Sequence, residues 1–199
     1  REFLDSFPKD TESPGIHYQL AELLLENKAF AEAALEYERT AYDYPSHEKA
    51  SAAGYAAVFA HRENVKIAAP SAAANAKREV IRGSLRFVDV FPKHEKTAVV
   101  LGAAADDLYE MKDYAQALTA AHRLIRDFAA ADQGVRRAAW LVVAHASFDL
   151  EKYKDAEDGY KNVLQLSAKD DKTAEALIDN LAASIYKQGE QAGKLGDQR

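Results

Sequence analysis

The chain has 199 residues, 48% of them apolar and many of those alanine, with five prolines and nine glycines, a composition that favours closely packed helices over strands. A net charge of -6, with the 26 basic residues scattered and not gathered into a stripe, argues against nucleic acid or an anionic membrane as partner. With no cysteine there is no disulfide and no thiolate metal site, which fits a reducing cytoplasm and a bacterial periplasm equally, and no run approaches the ~18 apolar residues of a membrane-inserted helix.

Taken in chain order, the opening Arg1 to Lys9 parallels Leu85 to Lys93, so residues 1–10 are expected to be the end of a preceding repeat, and the sequence to be a fragment of a longer protein. Residues 14–46 form a first repeat. Ile16, Leu20, Ala21, Leu23 and Leu24 make a helical stripe, Glu26-Asn27-Lys28 a polar turn, and Phe30, Ala33, Ala34, Tyr37 and Ala41 the face of a second helix that Pro45 ends. Residues 47–93 form a longer repeat with an insertion near 63–75. Its second helix is expected from Ser71, capped after Pro70, and about two turns longer than its counterparts.

In the third repeat, 94–130, Leu101, Ala104, Ala105 and Leu108 precede a turn at Lys112-Asp113, then Tyr114, Ala117, Ala121 and Leu124 follow. The fourth, 131–168, repeats the plan with Trp140, Val143, Ala144 and Phe148, then Tyr153, Ala156, Tyr160 and Val163. Residues 171–199 read as the first helix of a truncated fifth repeat, with a turn starting at Lys194. The units are tied together by near copies at their junctions: Phe7-Pro8-Lys9-Asp10, Tyr44-Pro45-Ser46-His47-Glu48-Lys49 and Phe91-Pro92-Lys93-His94-Glu95-Lys96. With Phe128 and Leu166 as the later unit ends, the spacings are 37, 47, 37 and 38 residues. Such periods indicate an array of helix pairs, each of which buries its apolar face only by stacking on its neighbours.

Chemistry finds little support. The histidines at 17, 47, 61, 94, 122 and 145 include no i, i+3 or i, i+4 pair that would aim two rings at one ion, and His47 and His94 read as polar linkers. Gly189 to Lys194 is one residue short of a phosphate loop, and Leu195 stands where the hydroxyl residue belongs. Asp106-Asp107 and Asp170-Asp171 read as solvated helix surface. No catalytic residue, cofactor or metal is expected.

The residue pattern resembles the tetratricopeptide repeat (TPR). In the first unit Leu20, Ala21, Leu24, Phe30, Ala33, Tyr37 and Pro45 fall on its positions, with His17 for the usual large residue. Leu101, Ala105, Leu108, Tyr114 and Ala117 do so in the third, and Trp140, Val143, Ala144, Tyr153, Ala156 and Tyr160 in the fourth. The resemblance implies an all-α fold, a right-handed α-solenoid of antiparallel helix pairs. Its junctions and period also look like the longer repeats of bacterial cell-envelope members, which tilts localisation toward the periplasm or outer membrane.

By the same resemblance, the first helices of successive units line a concave face that binds a protein or peptide. Transferred by register, the groove positions are Tyr18, Glu22, Tyr55, Phe59, Arg62, Asp106, Tyr109, His145, Phe148, Asp179 and Tyr186, an aromatic and acidic set suited to an apolar or basic segment. The carboxylate clamp of chaperone-binding members is missing, since its positions hold Tyr18, Gly102, Leu141 and Asp179. The expected function is a non-enzymatic scaffold, as for assembly of an envelope complex. The alternatives are a regulatory or substrate-presenting arm of a larger enzyme and a self-associating homo-oligomer.

Overall fold

The computed structural model describes residues 2–7, 10–168 and 170–196, and among these it contains ten α-helices and no strand. They fall into two compact units, Arg1–Thr97 and Ala98–Arg199. The N-terminal unit holds α1 (Glu2–Ser6), α2 (Ser13–Glu26), α3 (Phe30–Tyr42), α4 (Ala50–Ile67) and α5 (Pro70–Val90). Helix α6 (Thr97–Glu110) opens the C-terminal unit, followed by α7 (Tyr114–Asp127), α8 (Gln133–Asp149), α9 (Tyr153–Gln165) and α10 (Ala174–Gly196). From α2 to α5, and again from α7 to α10, each helix packs on the one before it. The junction echo at Pro8 and Lys9 lies outside the described residues.

Three of the hairpin turns are built alike. Lys28, Lys112 and Glu151 each adopt a left-handed backbone, with φ of 59°, 62° and 58°. In each turn the next residue's N–H reaches back five positions: Ala29 to the Leu24 carbonyl, Asp113 to Leu108 and Lys152 to Ser147. This satisfies carbonyls that the ending helix leaves orphaned and reverses the chain within three residues. The second helix of each pair then starts on an aromatic ring: Phe30, Tyr114 or Tyr153. Junctions between pairs use a different device, in which the Ser13 hydroxyl donates to the Phe7 carbonyl and the Thr97 hydroxyl to that of Phe91, both at 2.7 Å.

Alanine and glycine fill the contacts. Ala21, Ala33, Ala34, Ala53, Ala57 and Ala60 form a buried cluster around Tyr37 in the N-terminal unit, and Ala144, Ala156, Tyr160, Val163 and Leu177 form one in the C-terminal unit. Small side chains let helix axes approach where larger ones would overpack. Helix backbones come close at Gly159 of α9, where a Cβ would lie 2.8 Å from the Ala144 Cα and 2.9 Å from its Cβ.

The structure corrects several details of the sequence reading. Leu23 is 57% exposed, and the buried positions of α2 are Ser13, His17 and Ala21, so the helix turns a partly polar stripe inward. The longer pair is present, with helices of 18 and 21 residues against 14 and 13 in the pair before it. Its second helix begins one residue early, with Pro70 in the first turn, Ala69 at the cap and no side-chain cap from Ser71, because the fixed φ of proline suits the first helical position. Lys194 to Gly196 continue α10 and form no turn, and Gly189 lies in mid-helix, which removes the phosphate-loop echo. Asp170 and Asp171 sit in the turn before α10, not on a helix surface; Asp171 accepts from the Thr173 N–H and hydroxyl and from Arg137 at 2.6 Å.

Two glycine substitutions separate packing from propensity. Gly159→Ala is expected to destabilise by about 1–3 kcal/mol, because the added methyl meets the α8 backbone. Gly189→Ala, at an open helical position, is expected to stabilise by ~0.5–1 kcal/mol. Urea denaturation of both variants checks the pair of signs.

Candidate functional site

Within the C-terminal unit, α6 and α8 border an open trough of about 510 Å³. Its walls are Val99, Gly102, Ala103, Asp106 and Tyr109 from α6 and Gly134, Val135, Ala138, Leu141, Val142 and His145 from α8. These positions alternate with the residues that hold the helices in the core: Leu101, Ala104, Ala105 and Leu108 are buried on α6, while Val99 is 50% exposed. Gly102 does two things at once. A Cβ there would sit 3.2 Å from Leu124 Cδ1 and 3.9 Å from Val135 Cγ1, so the missing methyl lets α6 settle on its neighbours and deepens the trough.

One end of the trough is polar and aromatic. The Tyr109 and His145 rings stack with centroids 5.9 Å apart, and His145 meets Tyr160 edge-on at 5.4 Å. The Tyr160 hydroxyl, buried on α9, shares a 2.8 Å hydrogen bond with His145 Nδ1, and the Tyr109 hydroxyl donates to Asp149 Oδ2 at 2.9 Å. Burial, then the Asp149 carboxylate, pushes the Tyr160 phenol up to about 12, so it keeps its proton. Burial and the bond to Asp149 raise the Tyr109 phenol likewise. For His145 burial lowers the imidazole below its ordinary value of 6.5 against the opposing pull of Asp149, so the ring is neutral at pH 7.

Of the residues that the sequence pattern assigned to a groove, the structure brings Asp106, Tyr109 and His145 to this one. Phe148 is turned into packing, edge-on to Tyr153 at 5.2 Å and against the Ala144 cluster. Asp179 and Tyr186 lie on α10, both exposed, Tyr186 at 66%. In the N-terminal unit, Tyr18 stands edge-on to Tyr37 at 5.5 Å with the Lys49 ammonium 5.2 Å from its ring, and Glu22 on the same helix is exposed. Tyr55 stacks on His94 and leans on Phe87, Phe59 is 48% exposed, and Arg62 is half-buried. The trough between α6 and α8 includes none of these five.

The sequence reading missed a buried polar network in the N-terminal unit. Glu36 and Glu38, two residues apart on α3, point to opposite sides of that helix. Glu36 accepts from His17 Nδ1 on α2 and from Arg39, while Glu38 accepts from His61 Nε2 on α4 at 3.0 Å and from Arg82 on α5 at 3.0 and 3.2 Å. Arg86 lies 3.8 Å from Glu38 and stacks over the Tyr42 ring at 3.8 Å. Burial by itself would raise the Glu38 carboxyl, but the His61 hydrogen bond and the Arg82 charge prevail and hold it below the usual carboxylate range. The available signal was a Glu-x-Glu pair inside an alanine-rich helix, with His17 at a position reserved for a large core residue.

Among the described residues, no group of three His, Cys, Asp or Glu side chains could hold a metal ion, and no helix is long and apolar enough to cross a membrane. No family model and no curated protein matches the chain.

Both polar clusters have a pH signature. Glu38 contributes stability that is complete above its ordinary value of 4.5 and is lost as pH falls through its lower folded value. Glu38→Ala is expected to cost about 1–3 kcal/mol at pH 7, by leaving His61 without its acceptor, and to flatten the acid limb of a urea-stability profile. His145 in the folded chain is expected to titrate below 6.5 in an NMR pH series, and stability to fall with acidification from 6.5 down to that midpoint, since the unfolded chain takes up the proton first.

Proposed function

We propose that this chain is a non-catalytic protein-interaction module, a right-handed α-solenoid of TPR-like helix pairs that seats a segment of another protein in the trough between α6 and α8, as a scaffold in an assembly. The observation that carries this reading is the trough itself: about 510 Å³, lined mainly by Val, Ala, Gly and Leu side chains on two helices, with its few polar groups confined to one end. Extended and helical segments are recognised by such grooves through apolar anchors at fixed spacing. Sites carried on helices keep their geometry better than sites on loops, because each lining side chain is held by the buried face of its own helix. The acyl-transfer or metal-assisted reactions that a pocket of this size could host need a nucleophile with a base, or a ligand set, and His145 is instead committed through Nδ1 to a buried phenol.

Ala138 is exposed on the α8 rim and can be changed without disturbing the core. A peptide array carrying apolar anchors identifies binders, and fluorescence anisotropy then compares the parent chain with Ala138→Glu. At least a tenfold loss of affinity (about 1.4 kcal/mol) is expected in the variant, because a carboxylate would be buried against the apolar wall. Equal binding by both proteins would place the site elsewhere.

A further inference from the structure

Helix α10 carries two stripes with the same spacing. In the first, Leu177 and Leu181 pack on the cluster around Tyr160, Ser184 is buried, and Gln188 donates to the Tyr153 carbonyl and to Glu157. The second lies one residue further on at each step: Ile178, Ala182, Ile185 and Gly189. Ile178 and Ile185 are 55% and 50% exposed, Ala182 is exposed, and a Cβ added at Gly189 would meet nothing within 4 Å. Steps of four, three and four residues are those of a seam along which one helix packs on another, and here the described residues leave that seam uncovered.

The order of side chains along the seam specifies what covers it. Large and small alternate, so the stripe is its own complement when a second α10 runs the opposite way about the point midway between Ala182 and Ile185. Each isoleucine then meets an alanine or a glycine. A parallel pair would set isoleucine on isoleucine and glycine on glycine, crowding one level and leaving a void at another. Charge selects the same direction. Glu175 and Asp179 lie near the start of α10, whereas Lys187, Glu190 and Lys194, two lysines against one glutamate, lie near its end. Antiparallel helices set the negative start of each beside the positive end of the other, and parallel ones would set like on like.

We infer that α10 is a homodimerisation helix: it pairs antiparallel with α10 of a second copy of this chain, Ile178 against Gly189 and Ala182 against Ile185, in a closed two-fold contact. The trough is not involved, since its walls come from α6 and α8.

The test uses the whole chain. Sedimentation velocity from about 1 to 500 µM is expected to show a reversible equilibrium between monomer and dimer in the micromolar range, because one helix pair is at the small end of specific interfaces. Ile185→Asp, at an exposed position, should leave the circular dichroism unchanged and weaken the dimer at least ~tenfold, since two carboxylates would be buried in the seam. Direction is read by crosslinking, which the absence of native cysteine makes clean. Residues 178 and 189 are about 16 Å apart along one helix, so a short bis-maleimide should join Ile178→Cys chains to Gly189→Cys chains when the two are mixed, and neither variant to itself. A chain that stays monomeric at every concentration overturns the inference and gives the seam to a partner of another kind. A dimer that Ile185→Asp does not weaken overturns the assignment to α10, and variants that crosslink only to themselves overturn the antiparallel pairing.

Discussion

Close approach of consecutive helices at alanine and glycine is the constraint on which the rest depends. A helix that touches its neighbour through Ala33, Ala57, Ala144 or Gly159 leaves little room between axes, and so the few large residues present, Tyr37, Phe87, Leu101 and Tyr160, can fill what remains. The arrangement trades buried area per residue for proximity, and proximity brings backbone and side-chain polar groups of adjacent helices within bonding range. The Glu36 to His17 and Glu38 to His61 contacts exist because the helices around α3 are that close.

The same geometry produces the trough. On α6 and α8 the small residues are not confined to the buried face. Gly102 and Ala103, with Gly134 and Ala138 opposite, put small side chains on the outward face too, and two neighbouring helices with stripped outer faces leave a depression between them. A repeat with larger residues at those positions would close it. The depression then follows from composition by a short physical route: side chains too small to fill the space leave it open.

How much of this was legible in the sequence depends on the distance over which each cause acts. Period, turn residues and alanine positions are local, and Ala21, Ala33, Ala105, Ala117, Ala144 and Ala156 are all buried as the pattern requires. So is the placement of Asp106, Tyr109 and His145 together, because register along a helix repeats faithfully from one pair to the next. What failed to show were effects that need two helices at once. Leu23 looks like core by hydrophobicity, yet the inward position belongs to His17, which is tolerable there only because Glu36 arrives from the next helix, 19 residues on. Gly159 carries no sign in its own neighbourhood that the Ala144 backbone lies against it. At the start of α5 serine's capping preference and proline's fixed φ compete, and in the first turn of a helix the fixed angle prevails, so the cap is Ala69.

The two units use imidazole in contrasting ways, and the contrast bears on function. His17 and His61 donate to carboxylates inside the N-terminal unit, and those pairs are closed: each ring nitrogen at issue meets a charge, and the outcome is fixed packing. His145 meets a phenol that keeps its proton, and it stands at the edge of an open trough, where burial has lowered its affinity for a proton. Held neutral by burial at the edge of an open trough, His145 changes the charge of the surface it lines whenever it does titrate. The difference lies in the surroundings and not in the histidine, which is why the six histidines looked alike in the sequence.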